Sequence, residues 1–337
     1  MYFDKKNIIE RVIEEGVEGN QKKTSLDIAY GVDENFLFGA AISMTSILIN
    51  NQDIDITFHL FTDYIDDEYC EKIRQLVRSY NTHIYIYIVN NECLKQLPYT
   101  QSWSHAMYFR FIAFDYLASQ LETLLYLDAD IMCKGSLSKF ADIDLSGHDA
   151  AVVKELDSKQ TKLAARLELE GILGNYFNSG MIYANLKNWE EKNLTYQAMT
   201  MLNDPELVKK LYYYDQDVLN ILFLDKVIFL NRNFNYLYSI GNEIKNIDTE
   251  SRPKPISEDT ILIHYIGATK PWHEWARYPS SHCFEVAHAI SPWSDTPLKT
   301  AVTAKQYKRR ARHYIHQGKI KSGIMSYFKY AIKKIFV

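Results

Sequence analysis

Thr123-Leu124-Leu125-Tyr126-Leu127-Asp128-Ala129-Asp130 decides how this chain is to be read. Leu124 to Leu127 form an apolar run bounded by polar residues, which suits a short strand buried on both faces. The run stops at two carboxylates set two positions apart. In open α/β sheets ligands collect outside the carboxyl ends of the strands, so Asp128 and Asp130 are expected to face a crevice.

Spacing alone is weak, because the chain holds four such pairs: Asp53/Asp55, Asp128/Asp130, Asp142/Asp144 and Asp215/Asp217. Only Asp128/Asp130 follows directly on an apolar run. Burying a lone carboxylate is costly, and a hard cation is its natural partner. Mg²⁺ held by one or two carboxylates plus substrate phosphates is the expected arrangement, with Mn²⁺ competing for the same oxygen ligands.

Length and composition bound the rest. A chain of 337 residues can form one large domain with appendages or two smaller ones, and 47% apolar with 24% charged residues is ordinary for a globular protein. The 25 tyrosines suit carbohydrate-facing surfaces and plain packing equally. Cys70, Cys93, Cys133 and Cys283 are widely spaced, with neither zinc-ligand nor disulfide-framework patterning, which points to a reducing compartment. No signal peptide is expected in the charged stretch Met1 to Thr24, and no run of 18 apolar residues exists to span a bilayer.

Charge is unevenly distributed. The segment from Lys299 to Val337 has eleven Lys/Arg and no acidic residue, leaving 27 basic against 42 acidic residues, or −15, for the remainder. An acidic body argues against a nucleic-acid partner. The basic tail also carries Tyr307, Tyr314, Ile320, Ile324, Met325, Phe328, Ile332 and Ile335, a composition suited to an anionic membrane surface. The alternative is a solvated terminus.

Three segments follow: an N-terminal leader helix within 1–24, from Ile8, Ile9, Val12 and Ile13 at helical spacing; a catalytic body over 25–298; and the basic helical tail over 299–337. In the body, apolar strands at Leu26–Gly31, Ile54–Phe61, His83–Val89 and Ala150–Val153 alternate with helical patterns at Phe36–Leu48, Asp66–Tyr80, Ser104–Ala118, Leu163–Leu173 and Trp189–Leu202. That alternation predicts right-handed crossovers and a mostly parallel sheet flanked by helices. Arg110, between Phe109 and Phe111, is expected to meet an anion. Asn178-Ser179-Gly180 puts an amide and a bare backbone ahead of an apolar run. Asp215 and Asp217 read as helix N-terminal acids, whereas Gln216 between them has no capping role.

A second focus follows Ile261-Leu262-Ile263, at His264, Gly267 and Lys270. With the carboxylate pair these residues make a metal-bridged diphosphate site plausible: Asp128, Asp130 and His264 on the cation, Lys270 on the leaving phosphate. There is no G-x-x-x-x-G-K-[ST] loop and no G-x-G-x-x-G, so neither a P-loop ATPase nor a dinucleotide dehydrogenase is indicated.

Six segments in order resemble the family 8 retaining glycosyltransferases, and within them the enterobacterial lipopolysaccharide-core hexosyltransferases. They are Ala29-Tyr30-Gly31-Val32-Asp33-Glu34-Asn35, Ala106-Met107-Tyr108-Phe109-Arg110, Leu125-Tyr126-Leu127-Asp128-Ala129-Asp130, Tyr176-Phe177-Asn178-Ser179-Gly180, Asp215-Gln216-Asp217 and His264-Tyr265-Ile266-Gly267-Ala268-Thr269-Lys270-Pro271-Trp272. The resemblance implies a GT-A fold with a Rossmann-like nucleotide-binding half and a UDP-hexose donor. It implies donor binding by Tyr30, Gly31, Asp33, Asn35, Arg110, Asp128, Ala129, Gly267 and Lys270, with Asp33 and Asn35 at the uracil. Asp128, Asp130 and His264 would ligate Mn²⁺ or Mg²⁺. Arg110, Asn178, Asp215 and Gln216 would surround the hexose as the catalytic set. The acceptor-side carboxylate is either Glu155 or Asp157.

The implied reaction moves glucose or galactose, with retention, onto the lipopolysaccharide outer core. Asn-Ser-Gly at 178–180 and Gly-Ala-Thr-Lys-Pro-Trp at 267–272 look more like enzymes forming an α-1,2 than an α-1,3 link. The implied location is cytoplasmic, on the inner face of the inner membrane through the basic tail. Same-face displacement is the expected mechanism, with covalent catalysis by Asp215 its rival. A metal-dependent sugar-nucleotide phosphohydrolase could use the same Asp/Asp/His set, and a non-catalytic UDP-sugar-binding module could use the same pocket.

Overall fold

A computed structural model describes residues 2–16, 24–100, 104–169, 171–245 and 255–335. Its strands are β1 (Ile9–Glu15), β2 (Ser25–Val32), β3 (Asp55–Thr62), β4 (His83–Val89), β5 (Thr123–Leu127), β6 (Ile131–Cys133), β7 (Ala150–Lys154), β8 (Phe177–Asn185), β9 (Val227–Phe229), β10 (Tyr236–Tyr238) and β11 (Leu262–Tyr265). Eight of them form one sheet in the order β1-β4-β3-β2-β5-β8-β7-β9, and β10-β11-β6 form a small second sheet. Strands β4, β3, β2 and β5 pair in parallel, as the strand–helix alternation predicts. Strand β8 runs antiparallel between β5 and β7.

The parallel core is apolar on both faces because helices cover both. Helix Leu37–Asn50 is buried from Leu37 to Leu48, and Phe109–Leu117 lies against β2 and β3. Much of the tyrosine is core: Tyr30, Tyr108, Tyr126, Tyr176 and Tyr265 are fully buried.

The expected leader helix is corrected. Only Lys5–Ile8 is helical, and Ile9–Glu15 is a strand pairing antiparallel with β4 over Ile9↔Val89 to Glu15↔Ile84. The spacing of Ile9, Val12 and Ile13 fits a helix, but β4 would otherwise leave a row of backbone groups unpaired at the sheet edge, and the segment satisfies them. Residues 17–23 of the expected leader lie outside the described residues. Two helices are also displaced. The helix expected at Leu163–Leu173 occupies Asp157–Leu167 and ends at Glu168 in a left-handed conformation; the one expected at Trp189–Leu202 is split at Asn193, also left-handed.

The tail is ordered and helical. Helix Ala304–His316 starts with a capping box between Thr303 and Gln306, and Ile320–Ile335 packs back along it. The first of these helices is docked. Arg310 donates to Glu274 at 2.7 Å, Gln317 donates to the Trp275 carbonyl at 2.9 Å, and buried His313 lies 2.8 Å from the Tyr278 hydroxyl and 3.3 Å from Thr269 Oγ1. Lys299, where the tail was expected to separate, is instead bonded to the body through the Trp272 and Glu274 backbones. Phe336 and Val337 lie outside the described residues.

Burial, reinforced by Arg312, His316 and Arg309, lowers the pKa of His313 from 6.5 to about 4. Between those values the unfolded chain binds a proton that the folded chain does not, so stability falls as pH falls. The thermal midpoint of the wild type is therefore expected to drop more between pH 7 and pH 4.5 than that of His313→Gln, measured by calorimetry at both values.

Candidate active site

Strand β5 ends at Leu127, and the turn that follows carries Asp128 and Asp130. Because β8 is antiparallel to β5, its beginning lies beside the end of β5, and the Asp128 N–H donates to the Gly180 carbonyl at 2.7 Å. The β7–β8 ladder shifts register there, from Val152↔Ile182 to Val153↔Asn178, which bulges Ser179-Gly180 out of the sheet toward the carboxylates. On the other side β6 pairs antiparallel with β11, placing His264 opposite Ile131, and the Tyr265 N–H donates to the Asp130 carbonyl at 3.0 Å. Two antiparallel pairings thus bring three distant segments to one strand tip.

Asp128, Asp130 and His264 each offer a ligand atom, all within 4.8 Å of one another, and among the described residues they are the one such group. His264 Nε2 lies 3.2 Å from Asp130 Oδ1 and 3.9 Å from Asp128 Oδ2. Buried Asp130 Oδ1 has no hydrogen-bond partner, while its Oδ2 is paired with Lys270. Burial opposes ionisation of Asp130, but Lys270 and His264 outweigh it and hold the carboxyl well below the usual range. His264 Nδ1 lies 3.2 Å from Asn235 Oδ1, an oxygen that can only accept, so Nδ1 carries a proton and Nε2 is the nitrogen directed at the carboxylates. An orphaned carboxylate oxygen, a facing imidazole nitrogen and a second carboxylate make a ligand set that fits a divalent cation.

Gly180 belongs to this cradle. A Cβ there would come within 2.3 Å of His264 Cε1 and 2.8 Å of Asp128 Oδ2. His264 is held by Asn235, so a side chain at position 180 would have to push the imidazole off that partner.

Arg110 forms the other wall. Its guanidinium is buried over the Tyr126 ring at 4.6 Å and donates to Asp128 Oδ1 at 2.8 Å and the Ser179 carbonyl at 2.7 Å, with Nε 3.1 Å from Asp215 Oδ2. Burial pushes the pKa of Asp215 up, opposed by Arg110 and assisted by Asp128. Gln216 Oε1 accepts from the Ser179 N–H at 3.0 Å, and from Ser179 Oγ and Asn178 Nδ2 at 3.3 Å. Asn178 is a hub: Nδ2 also donates to Glu155 Oε2 at 3.2 Å, and Oδ1 accepts from the Gly180 N–H and Asn235 Nδ2. Arg110, Asn178, Asp215 and Gln216 are therefore one contiguous network beside the Asp/Asp/His group.

The remaining expected residues are placed unevenly. Asp33 and Asn35 follow β2 at the same sheet edge; Asp33 accepts from Ser104 at 2.7 Å, and Lys299 donates to the Asn35 carbonyl at 2.5 Å. Tyr30 turns into the core instead, its hydroxyl 2.9 Å from Ser43 Oγ, because alternate residues of a strand face opposite sides. Gly31 packs against Phe109 and the Tyr126 hydroxyl, where a Cβ would have no room. Ala129 is buried between the two carboxylates, and Gly267, at φ +85°, turns the chain toward Lys270. Of the two acceptor-side possibilities, Glu155 is buried against Asn178, whereas exposed Asp157 pairs with Arg232. Asn235 went unnoticed in the sequence, where it lies in no recognisable local pattern, and Tyr176 was quoted only as the start of a matching segment without a role of its own; the folded contacts reveal what each does.

The family 8 sequence model, described as glycosyl transferase family 8, matches residues 27–276, and that of the family 8 C-terminal region matches 278–334. The chain belongs to glycosyl transferase family 8. It is 41% identical over 313 residues to a lipopolysaccharide 1,2-glucosyltransferase of Escherichia coli, covering 93% of this chain and 92% of that one. It is 38% identical to a lipopolysaccharide 1,3-galactosyltransferase of Salmonella typhimurium, covering 99% and 98%. The galactosyltransferase LgtC, solved with donor and acceptor sugar analogues, superposes with a TM-score of 0.66 at 23% identity, covering 78% of this chain and 96% of that one. The protein is thus a glycosyltransferase with the GT-A fold, and the Asp128-Ala129-Asp130 turn lies within the region that the family model matches.

Gly180→Ala is expected to weaken Mn²⁺ binding by at least about tenfold, by displacing ligands rather than unfolding the sheet. Titration calorimetry with Mn²⁺ in the presence of UDP checks the affinity, and an unshifted thermal midpoint checks the fold.

Proposed function

We propose that this glycosyltransferase moves glucose or galactose from a UDP-hexose onto the outer core of lipopolysaccharide, with retention and with a divalent metal. The α-1,2 link is preferred over α-1,3. The observation that carries the reading is the convergence of Asp128, Asp130 and His264 on one side of Arg110 with Asp215 and Gln216 on the other. The similarity to lipopolysaccharide glucosyl- and galactosyltransferases over nearly the whole chain supports the acceptor class.

In this reading Asp128, Asp130 and His264 hold Mg²⁺ or Mn²⁺, which supplies charge neutralisation for the departing diphosphate. Lys270, which pairs with Asp130 and donates to the Tyr265 carbonyl at 2.8 Å, adds a second positive charge at the leaving group. Asp33 and Asn35, on the same sheet edge, hold the uracil end. Arg110 keeps Asp128 and Asp215 in register with each other. Asp215 is held in that ion pair, and Gln216 is a poor nucleophile; both features favour entry of the acceptor hydroxyl on the face from which UDP leaves, with attack by Asp215 as the competing route. A sugar-nucleotide phosphohydrolase would need the same cation set but would leave Arg110, Asn178 and Gln216 without a role in the bond broken.

The tail is proposed to hold the enzyme on an anionic membrane surface. No helix among the described residues is long and apolar enough to cross a membrane. On helix Ile320–Ile335, however, Ile324, Met325, Phe328, Ile332 and Ile335 are exposed among Lys321, Lys329, Lys333 and Lys334.

Asp130→Ala and His264→Ala are expected to abolish transfer from UDP-glucose and UDP-galactose to truncated lipopolysaccharide cores, with the fold intact, and excess EDTA should do the same to the wild type. Full activity in any of these assays would falsify the metal assignment; linkage analysis of the product distinguishes α-1,2 from α-1,3.

Replacing Phe328 and Ile332 together by Ser should reduce sedimentation with phosphatidylglycerol-containing vesicles at least about fivefold, since each buried apolar side chain contributes roughly 1.5–3 kcal/mol. Turnover on a soluble acceptor should be unchanged. Equal sedimentation of variant and wild type would contradict the anchoring role.

A further inference from the structure

Behind Gln216 lies a chain of buried polar groups that the donor-binding reading does not use. Asp217, one position on, is fully buried, and its carboxylate is saturated: Arg166 donates to both oxygens at 2.6 and 2.7 Å, the Tyr176 hydroxyl donates at 2.6 Å, and the N–H groups of Tyr212 and Tyr213 donate at 2.7 and 2.9 Å. This exceeds what capping the helix Tyr214–Leu222 requires.

The consequence runs through the hydroxyl of Tyr176. A tyrosine has one proton to donate, and here it goes to Asp217, so the same oxygen can only accept from its other neighbour. That neighbour is Gln216 Nε2, at 3.1 Å. At the other end of the amide, Oε1 takes the Ser179 N–H, which cannot accept. Rotating the amide by half a turn would set its nitrogen against that N–H and its oxygen against the lone pairs of Tyr176. Both ends are therefore assigned by fixed partners, and Oε1, already filled with donors, is turned away from any further ligand. The second proton on Nε2 is the amide's remaining hydrogen-bonding group.

We propose that Arg166, Asp217 and Tyr176 are a positioning relay that fixes the amide of Gln216 so that it offers the donor sugar an N–H and not its carbonyl oxygen. The relay rests on the reading that Gln216 faces the donor hexose. It gives Asp217 a purpose beyond the helix start and explains why a half-exposed arginine on the helix Asp157–Leu167 makes a bidentate pair with a fully buried acid.

A double-mutant cycle tests it. Tyr176→Phe keeps the ring and removes the acceptor, so the amide is free to turn. Expected is a loss in kcat of about tenfold, the lower end for removal of an orienting partner, with KM for the UDP-hexose and UDP affinity within about twofold of wild type. In a Gln216→Ala background the same change should alter kcat by less than about twofold, because a residue that acts through Gln216 has nothing left to position. A loss of similar factor in both backgrounds, or wild-type kcat in Tyr176→Phe, would overturn the relay while leaving Gln216 in its proposed place. Full activity in Gln216→Ala alone would overturn that placement and the relay with it. Should Tyr176→Phe fail to fold, Arg166→Met at the relay's solvent-facing end enters the same cycle under the same criteria.

Discussion

The buried guanidinium of Arg110 is the interaction on which the site depends. It joins the turn after β5, the start of β8 and the helix carrying Asp215, and it makes hydrogen bonds or ion pairs to each within 3.1 Å. Removing the Arg110 guanidinium and the Asp215 carboxylate from water costs several kcal/mol per ion, recovered only when every donor and lone pair is met. Here Met107 and Ser179 carbonyls and the face of Tyr126 complete the shell. The outcome is directional. Asp128 gives Oδ1 to Arg110, which leaves Oδ2 to face His264. One carboxylate therefore belongs at once to the Arg110–Asp215 network and to the Asp128, Asp130 and His264 group, and a shift in either reaches the other.

Topology supplies what Arg110 then holds. A purely parallel sheet would present only loop residues at the carboxyl edge. Inverting β8 brings a strand's beginning to the tip of β5, so Asn178 stays on ladder-bonded backbone while Ser179 and Gly180 bulge beside the carboxylates. The short β6–β11 pairing does the same for His264. Ligands fixed on strands lose less freedom when they engage a cation or a sugar than ligands on mobile loops. Such closeness also explains Gly180, since no side chain fits where backbone, imidazole and carboxylate meet.

Much of this was legible in the sequence. The apolar run before Asp128-Ala129-Asp130 distinguished it from three pairs of identical spacing, and the ordered motifs supplied the family and the fold. Contacts without a local signature were not legible. Strand β6 is three residues long and shows no period, and Asn235, which sets the tautomer of His264, is one asparagine in a polar stretch. The segment Ile9–Glu15 has helical spacing, yet an open sheet edge decided its conformation. Tyr30 falls inside a matching motif, but strand alternation sends its side chain to the core.

The basic tail divides into two helices with opposite obligations. Arg310, His313 and Gln317, on and just beyond the first, spend their polar groups on Glu274, Thr269, Tyr278 and Trp275, around the loop that carries Gly267 and Lys270. The second turns its aliphatic and aromatic side chains outward and touches the body mainly through its partner helix, with Arg310 donating to Ser326 at 3.0 Å. A solvated terminus would need neither the capping box at Thr303 nor buried His313. Composition alone described the tail as a separate basic object, but its first helix is docked against the loop that carries Gly267 and Lys270, and only its second turns its apolar side chains outward.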